Sequence, residues 1–356
     1  MPKRQFDFEY LANVVGRFLR QSTVTAIEPY GNGAINDTFK VAAAGKYYLL
    51  QRINSQYFPD PVALMDNFKK IAACQGRQLG LSAVRLMLGN GLWFRDEAGD
   101  YWRLYDFFEH SYSCQRLDNN FQAYEIAKAY GQYLACLATL PLTALQVVVH
   151  NFHNTVSRYG QLLQAEKFDR FNRVRDCLNE LDFVKTRLDE ILEFSNLLDS
   201  GQIPKRLTHN DTGIDNVLLD VSTGAALAVI DWDTTMPGYS LWDFGDLFRS
   251  ALGIEFDERI SPKECFNALL SGYLAGSGKL LLPVEISNFA FAGRIISLEL
   301  GIRYLTDYLS GDPVFKYSDG ASLLRARKSF SRYRIMNHHR QQFAELTAQA
   351  LLVYER

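Results

Sequence analysis

Three polar residues lie in one segment at a spacing that suits phosphoryl transfer. Asp211 and Asn216 are five residues apart, and Asp231 ends an apolar run further along the chain. One carboxylate can orient a hydroxyl nucleophile, and further oxygen ligands can hold Mg²⁺ on the phosphates of a nucleotide. An Asp followed five residues later by a metal-binding Asn is also the spacing of kinase catalytic loops. The segment therefore predicts a phosphotransferase site.

Two apolar runs separate Asn216 from Asp231 and predict a β-hairpin. Residues 217–219 and 227–230 flank the turn-forming sequence Ser222-Thr223-Gly224. A hairpin brings its two ends together, so Asp231 should lie beside Asn216. The sequence therefore predicts that these two residues bind one metal ion.

We assign the role of catalytic base to Asp211, which would also contact the acceptor. Asn216, Asp231 and, through its outer oxygen atoms, Asp233 are the candidate Mg²⁺ ligands. His209 is expected to hold the loop by hydrogen bonds. The alternative is an Asx cap for Asp211 and Asn216 and a plain strand end for Asp231, which leaves their joint spacing unexplained.

The segments from His209 to Asn216 and from Ile230 to Asp233 resemble the signature of the aminoglycoside phosphotransferase and choline kinase superfamily. Further stretches, in the same order along the chain, resemble the N-acetylhexosamine 1-kinases within that superfamily. These stretches are 28–36, 58–60, 64–65, 102–103, 109–110, 233–238, 243–246 and 307–312. The resemblance implies a protein-kinase-like fold of two lobes. It also implies ATP as the phosphoryl donor, Mg²⁺ as the metal, and the anomeric hydroxyl of N-acetylglucosamine or N-acetylgalactosamine as the acceptor.

The order of elements predicts an α+β protein with a β-rich N-lobe at 1–108 and a mainly helical C-lobe at 109–356. Short β-prone runs and one helix fill the first part, and helical patterns dominate the second. The predicted strands are 24–30, 38–43, 46–53, 92–95 and 101–107, and the predicted helices are 61–75, 121–137, 156–167, 176–198, 262–275, 284–309 and 322–354. We expect the nucleotide in the cleft between the lobes. Its adenine would hydrogen bond the hinge backbone of Phe107, Phe108 and Glu109.

The composition is that of a globular protein and limits the classes of partner. Apolar residues make up 47% of the 356 residues and charged residues 22%, which argues against disorder. Because 38 basic residues nearly balance 40 acidic ones, the net charge gives no reason to expect nucleic acid or a membrane as a partner. The five scattered cysteines predict reduced thiols, and the lack of a signal core predicts a cytoplasmic protein. We expect a monomer or weak dimer that binds ATP and a small sugar.

The glycine-bearing segment Gly31, Asn32 and Gly33 is a candidate phosphate-binding loop. It follows a predicted strand, where kinases carry the loop that covers the phosphates. Glycine lets backbone N–H groups approach phosphate oxygens closely, because it has no Cβ. A simple hairpin turn is the alternative, since Asn-Gly is a strong turn dipeptide.

The basic residue that pairs with the phosphates is missing from its usual place. Gln51 occupies the position on the third strand where kinases carry lysine, with Arg52 beside it. The helix predicted at 61–75 contains no glutamate, so the usual Lys–Glu pair is absent. We assign Gln51 to the nucleotide site. Lys40 is a second candidate for the missing cation, although a solvated strand residue is its simpler interpretation.

The tripeptide Asp243-Phe244-Gly245 has the sequence of the kinase metal tripeptide but not its position. It lies well beyond Asn216 and begins a predicted helix instead of ending a strand. The resemblance implies that Asp243 accepts hydrogen bonds from the backbone of the catalytic loop. Asp246 and Arg249, three residues apart on the same helix, are expected to form a surface ion pair.

The acceptor pocket is assigned through the predicted helix at 284–309, which carries Glu299 and Arg303. Charges on an apolar helix must face water, a partner or a polar cavity. The resemblance favours Arg303, together with Glu299, as a contact of the sugar, and an ordinary i, i+4 ion pair between them is the alternative. Ser250 and Val314 fall where the family has aromatic rings, so Ser250 is a candidate pocket residue and the pocket should be roomy.

Two other functions fit the sequence. The acceptor could be another hydroxyl compound, namely a neutral sugar, an amino alcohol or an aminoglycoside. The protein could also be a non-catalytic nucleotide-binding regulatory module, which Gln51 and the missing glutamate favour. The complete set of Asp211, Asn216 and Asp231 favours an enzyme, because a regulatory module does not need all three.

Overall fold

The computed structural model describes residues 6–20, 22–31, 35–75, 81, 91–253, 259–313 and 320–355. The elements of the first part are the strands β1 Val24–Pro29, β2 Asp37–Ala43, β3 Lys46–Ile53, β4 Phe94–Arg95 and β5 Tyr101–Asp106, with the helices α1 Phe8–Phe18 and α2 Pro61–Gln75. The five strands form one antiparallel sheet in the order β1-β2-β3-β5-β4. All five were predicted, with small differences at their ends.

Helix α1 packs on this sheet and was not among the predicted elements. Asp7 begins the helix, because its carboxylate accepts a hydrogen bond of 2.7 Å from the backbone N of Tyr10. The buried residues of α1 share one helical face and a hydrophobic cluster with β2, β3 and β5; they are Leu11, Val14, Val15 and Phe18. The helix therefore covers the apolar side chains of the sheet at that face.

From residue 109 onward the chain is mainly helical. The helices are α3 Asn120–Leu137, α4 Thr155–Phe168, α5 Leu178–Lys185, α6 Leu188–Asp199, α7 Ser240–Ala251, α8 Pro262–Ser277, α9 Pro283–Ser287, α10 Phe289–Leu309, α11 Ala321–His338 and α12 Arg340–Tyr354. One small sheet contains β6 Ser111–Ser113, β8 Val217–Asp220 and β9 Ala226–Val229, and another contains β7 Arg206–Thr208 and β10 Met236–Gly238. The predicted α+β architecture, a β-rich lobe followed by a helical lobe, is confirmed.

Three helices that the sequence predicted as continuous are divided in the structure, into α5–α6, α9–α10 and α11–α12. At the first break, Thr186 Oγ1 donates a hydrogen bond of 2.9 Å to the carbonyl oxygen of Asp182. Arg187 Nη1 donates one of 2.6 Å to the carbonyl oxygen of Phe183. Side-chain donors that satisfy the last carbonyl groups allow a helix to end without burying unpaired oxygens.

The two lobes share a hydrophobic core. One buried cluster contains residues of α2 together with residues of α3, α7, α8 and α10. Within it, the ring of Phe68 on α2 lies 4.8 Å from the ring of Trp232, which follows β9. This contact places the N-lobe helix directly against the segment that carries Asp231.

Two expectations from composition can be compared with the structure. A disulfide joins Cys74 of α2 to Cys136 of α3, whereas Cys114, Cys177 and Cys265 are free and buried. The prediction of five reduced thiols was therefore wrong for one pair. The reason is that α2 and α3 bring together residues 62 positions apart in the chain. Among the described residues, no helix has the length and apolar character needed to cross a membrane.

Candidate active site

The catalytic loop lies between β7 and β8, and the hairpin β8–β9 brings the metal-site candidates together. Val217 pairs with Val229, and the backbone N of Ile230 donates a hydrogen bond of 2.9 Å to the carbonyl oxygen of Asn216. Asp231 directly follows Ile230, which is hydrogen bonded to Asn216, so Asp231 and Asn216 lie close together. The predicted hairpin is confirmed, and so is the expected proximity of its two ends.

The surroundings of Asp211 suit a general base. Burial raises the pKa of its carboxyl group to about 6; repulsion from Asp246 and Asp215 adds to the rise, while Arg249 and His153 oppose it. A catalytic base is most effective when its pKa lies near the working pH. Asp211 can therefore be ionised at neutral pH and still accept a proton from a hydroxyl group.

Asn216 and Asp231 offer oxygen atoms of the kind that Mg²⁺ binds. Asn216 Nδ2 donates a hydrogen bond of 3.0 Å to the carbonyl oxygen of Asp211, which leaves Oδ1 as the atom for a cation. The side chain of Asp231 is exposed, yet the protein around it removes part of its hydration. This desolvation, followed by repulsion from Asp233 and Asp211, raises the pKa of Asp231 to about 8. A nearby cation would relieve that repulsion.

The donor set is small, which agrees with how proteins hold Mg²⁺ on a nucleotide. The described part of the chain contains no group of three or more His, Cys, Asp and Glu side chains that could hold a metal. A kinase site does not need one, because one or two protein ligands, phosphate oxygens and water complete the coordination of Mg²⁺. Asn216 and Asp231 fit this arrangement, because one offers an amide oxygen and the other a carboxylate at the two joined ends of one hairpin.

Asp243 holds the catalytic loop from helix α7. Its Oδ2 accepts a hydrogen bond of 3.0 Å from the backbone N of His209, and its Oδ1 accepts one of 2.7 Å from the backbone N of Asn210. Thr212 Oγ1 donates to its carbonyl oxygen. The Asp-Phe-Gly tripeptide therefore contacts the loop backbone, as the resemblance implied for Asp243.

His209 ties the loop to the end of β9 as a neutral ring. Its Nε2 donates a hydrogen bond of 3.0 Å to the carbonyl oxygen of Ile230, and its Nδ1 accepts one of 3.3 Å from the backbone N of Asp211. Burial lowers the pKa of His209 to about 4. These contacts are the hydrogen bonds that the sequence led us to expect of it.

The loop turns at Asn210, whose backbone is left-handed with φ at 66°. Asn210 Nδ2 donates a hydrogen bond of 2.8 Å to the carbonyl oxygen of Thr234. Strand β10 passes so close that a Cβ on Gly238 would lie 2.4 Å from Asn210 Oδ1 and 2.2 Å from Thr208 Oγ1. Glycine is therefore the residue that lets β10 pack against the loop.

A buried contact between α10 and the catalytic loop was not foreseen. Glu299 is 1% exposed and accepts hydrogen bonds from His153 Nδ1 at 2.9 Å and Thr155 Oγ1 at 2.7 Å. The other ring nitrogen of His153 lies 2.7 Å from the carbonyl oxygen of Asn210. Both oxygens of Glu299 thus accept hydrogen bonds inside the protein, and the sugar contact assigned to it stays a prediction. No spacing in the sequence indicates the buried contact, because its members are far apart in the chain.

Arg303 and Asp211 both interact with Tyr57, a residue that the sequence did not single out, and Arg303 also interacts with Arg158. The guanidinium carbon of Arg303 is 5.6 Å from the ring centre of Phe152. The pKa of Tyr57 is raised, chiefly by burial and also by the negative charge of Asp211. The positive charge of Arg303 and its hydrogen bond to Tyr57 oppose this rise. Burial and the charge of Arg303 lower the pKa of Arg158. These interactions place Tyr57 and Arg158 in the same polar cluster as Arg303.

Two assignments concern helix α7. Ser250 Oγ accepts a hydrogen bond of 3.0 Å from the backbone N of Ile214, so this hydroxyl supports the turn before Asn216, and its contact with the acceptor stays a prediction. The ion pair of Asp246 and Arg249 exists, at 2.7 Å, but Asp246 is buried and the pair is not at the surface. The other pocket position that we considered, Val314, lies outside the described residues.

On the nucleotide side, Gly31 is the described member of the candidate phosphate loop. Its backbone is left-handed, with φ at 73°, a conformation that glycine adopts without strain. Asn32 and Gly33 lie outside the described residues. The glycine-rich loop therefore stays a prediction.

At the hinge, two backbone groups are already bonded within the protein. Phe107 N donates a hydrogen bond of 3.3 Å to the carbonyl oxygen of Tyr47, and Ser111 Oγ donates one of 2.7 Å to the carbonyl oxygen of Phe108. Lys40 Nζ lies 4.6 Å from the ring centre of Phe107, so this lysine packs on the hinge aromatic. Adenine would therefore hydrogen bond the remaining backbone groups of the hinge, including those of the exposed Glu109.

Gln51 contacts a buried arginine that the sequence did not identify as a site residue. It pairs across β3 and β5 with Arg103, whose Nε donates a hydrogen bond of 2.9 Å to Gln51 Oε1. Gln51 Nε2 donates one of 3.1 Å to Thr38 Oγ1. Arg103 also reaches Asp233, with Nη2 and Nη1 each 2.7 Å from one carboxylate oxygen. Knowledge of the register between β3 and β5 would have pointed to Arg103.

Comparison with known proteins identifies the class. Residues 26–278 match the model of the phosphotransferase enzyme family APH, and the chain belongs to this family. Its fold is similar to that of an aminoglycoside phosphotransferase from Alicyclobacillus acidocaldarius, with a TM-score of 0.64 and 14% identity over 96% of this chain and 98% of that chain.

Two further solved structures share the fold. An ethanolamine kinase from Plasmodium vivax has a TM-score of 0.55 and 18% identity over 87% of this chain and 81% of its own. A spectinomycin phosphotransferase, solved with ADP and spectinomycin, has a TM-score of 0.56 and 13% identity over 95% of this chain and 100% of its own. The family match places the chain among the phosphotransferase enzymes, and these structures show that it shares their fold.

Proposed function

We propose that the protein uses ATP and Mg²⁺ to phosphorylate the anomeric hydroxyl of an N-acetylhexosamine, which gives the sugar 1-phosphate. The observation that carries the proposal is the position of Asp211 beside the candidate metal ligands Asn216 and Asp231, in a member of a phosphotransferase family. The resemblance of stretches along most of the chain to N-acetylhexosamine 1-kinases supplies the acceptor.

Asp211 would orient the acceptor hydroxyl and take its proton late, because the transition state of phosphoryl transfer is loose. An anomeric hydroxyl is more acidic than an ordinary alcohol, so a carboxylate with a pKa of about 6 is a sufficient base. Asn216 and Asp231 would hold Mg²⁺, which neutralises charge on the nucleotide phosphates when it is bound. Asp233, the third candidate ligand, is paired with Arg103 in this structure.

The charges of the Arg303 cluster favour a neutral acceptor. Arg303 and Arg158 are close enough that the charge of one lowers the pKa of the other, after the effect of burial. A cationic acceptor, such as an amino alcohol or an aminoglycoside, would be repelled by two guanidinium groups. The hydroxyl and acetamido oxygens of a sugar would instead accept their hydrogen bonds. This difference supports a sugar over an amino alcohol or an aminoglycoside.

A panel assay tests the proposal. ATP consumption is measured with Mg²⁺ and N-acetylglucosamine, N-acetylgalactosamine, glucose, galactose, ethanolamine, choline or an aminoglycoside, and Asp211→Asn controls for contaminating activity. We expect turnover with an N-acetylhexosamine and a product whose phosphorus NMR signal couples to the anomeric proton. A phosphate on the 6-hydroxyl, or turnover only with another alcohol, would reject this acceptor. No turnover with any compound would favour the regulatory module.

A further inference from the structure

A buried ion pair joins the two lobes at the segment that carries the candidate metal ligand Asp231. Arg103 comes from β5 of the N-lobe and is 1% exposed, and Asp233 follows β9 of the C-lobe and is 3% exposed. Arg103 Nη2 donates a hydrogen bond of 2.7 Å to Asp233 Oδ2, and Nη1 lies 2.7 Å from Oδ1. The guanidinium therefore makes one hydrogen bond, to Oδ2, and one close charge contact with Oδ1, which accepts no hydrogen bond.

Other contacts hold the two residues in this arrangement. Arg103 Nε and Nη2 both donate to Gln51 Oε1. The guanidinium carbon of Arg103 lies 5.2 Å from the ring centre of Tyr105. Asn36, which precedes β2, donates a second N-lobe hydrogen bond of 2.9 Å to Asp233 Oδ2. Two N-lobe residues thus donate to Asp233 Oδ2, and the positive charge of Arg103 lies 2.7 Å from Oδ1. A cation at either oxygen would meet the repulsion of that guanidinium.

The position of the pair corresponds to a known task in kinases. There, a lysine on the third strand pairs with a helix glutamate and must be in place for phosphoryl transfer. Gln51 replaces that lysine, and α2 contains no glutamate. In this chain the buried cation comes from the next strand of the sheet, opposite Gln51, and its carboxylate partner lies two residues after Asp231.

We infer that Arg103 and Asp233 are positioning residues that replace the lobe-spanning Lys–Glu pair, and that Asp233 fixes the turn of Asp231 instead of binding the metal. The inference rests on the proposed Mg²⁺- and ATP-dependent function. One ion pair then explains two features: Gln51 stands in place of the usual lysine, and Asp231 has a second carboxylate, Asp233, close to it. In this arrangement Arg103 does not bind the nucleotide phosphates. It sets the position of the turn that carries Asp231.

The two possible roles of Asp233 predict opposite effects of removing Arg103. If Asp233 were a metal ligand, Arg103 would compete with the metal, and its loss would strengthen or preserve Mg²⁺ binding. If Asp233 positions Asp231, loss of Arg103 frees the turn and weakens Mg²⁺ binding. Loss of a residue that orients a ligand typically lowers metal affinity on the order of 10–100-fold.

The test measures ADP affinity by calorimetry with and without Mg²⁺, which requires no acceptor and no turnover. The variants are Arg103→Met, Asp233→Asn and their combination, and Arg103→Lys keeps the charge if the methionine variant does not fold. Arg52→Met is the matched control, because Arg52 on β3 pairs with Asp37 and Asp100 inside the N-lobe. We expect each single variant to reduce the Mg²⁺-dependent gain in ADP affinity by about 10–100-fold. The combined variant should lose no more than either one, and the control should keep the gain.

The outcomes separate this inference from the proposed function. Tighter or unchanged Mg²⁺-dependent binding in Arg103→Met or, where that variant does not fold, in Asp233→Asn, or losses that multiply in the combined variant, would overturn the positioning role, whatever the acceptor. Arg103→Lys keeps the charge opposite Asp233 and should lose less of the gain than Asp233→Asn; an equal or greater loss would also count against the pair. A wild-type protein whose ADP affinity does not respond to Mg²⁺ would overturn it as well. If the expected pattern holds but no N-acetylhexosamine is phosphorylated, the acceptor is wrong and the Arg103–Asp233 pair stands.

Discussion

His153 lies between Glu299 and the catalytic loop, with Nδ1 2.9 Å from Glu299 Oε1 and Nε2 2.7 Å from the carbonyl oxygen of Asn210. An ionised carboxylate and a carbonyl group can only accept hydrogen bonds, so both ring nitrogens must carry a proton. His153 is therefore an imidazolium ion, in contrast to the neutral His209 on the same loop. The buried cation connects helix α10 to the residue before Asp211.

The pair of His153 and Glu299 should stabilise the fold most in mildly acidic solution. Burial alone would lower the pKa of His153, but the charge and hydrogen bond of Glu299 outweigh it and raise that pKa. Burial alone would raise the pKa of Glu299, but the charge of His153 and its hydrogen bond, with that of Thr155, lower that pKa. The histidine's contribution is complete below about pH 6.5 and is lost as pH rises through its raised pKa. The glutamate's contribution is complete above about pH 4.3 and is lost as pH falls through its lowered pKa.

A double-mutant cycle of unfolding free energies measures this dependence. With His153→Gln, Glu299→Gln and the combined variant, we expect a coupling energy on the order of 0.5–3 kcal/mol near pH 6. The coupling should fall toward zero as the pH rises through the raised pKa of His153, because the imidazole then becomes neutral. An equal coupling energy on both sides of that pKa would show that no titrating charge is involved.

The local part of the site followed from the sequence, whereas its long-range supports did not. Asn216 and Asp231 are joined by a short hairpin, and hairpins are signalled by nearby residues. Helix α2 was predicted with its observed bounds, because Pro61 begins a helical apolar pattern. His153 and Arg103 meet partners that only the packing of helices, or the register between strands, brings near. Sequence spacing contains neither kind of information.

One wrong prediction has a physical cause of the same kind. Asp246 and Arg249 have a spacing that is typical of surface pairs, yet α7 is packed inside the C-lobe. A helical spacing indicates that two residues can meet, and only the surrounding helices decide whether they are buried.

Replacing Asp211 with Asn should remove most turnover and leave MgATP binding nearly unchanged. The amide keeps the shape of the side chain but cannot accept the proton of the acceptor hydroxyl. We expect kcat to fall on the order of 10²–10⁴-fold. Steady-state kinetics and calorimetry with ADP provide the two readouts. A variant with a kcat near that of the wild type would remove Asp211 from the mechanism.

Asp231 and Asp243 should respond differently to replacement by Ala. Asp231→Ala is expected to weaken MgADP binding and abolish transfer, because it removes the candidate carboxylate ligand of the metal. Asp243→Ala leaves the buried backbone N–H groups of His209 and Asn210 without an acceptor. Each unpaired group lowers the free energy of unfolding by about 1–3 kcal/mol. This variant should therefore chiefly unfold at a lower urea concentration. Titration with Mg²⁺ decides between the two: a metal requirement that shifts in the Asp243 variant and not in the Asp231 variant would reverse the assignment.

Arg303 is the residue through which the acceptor can be tested apart from the nucleotide. Its guanidinium belongs to the polar cluster with Tyr57 and Arg158 near Asp211, and a charged donor to a neutral sugar oxygen contributes about 1.5–3 kcal/mol. Arg303→Ala should therefore lower kcat/KM for the sugar by about one to two orders of magnitude, while the affinity for ATP hardly changes. Arg327→Ala is a suitable control, because Arg327 forms an exposed ion pair with Glu180 on another part of the C-lobe. If both variants lose the same activity, or if Arg303→Ala alters KM for ATP and not for the sugar, Arg303 does not bind the acceptor and the sugar must lie elsewhere in the cleft.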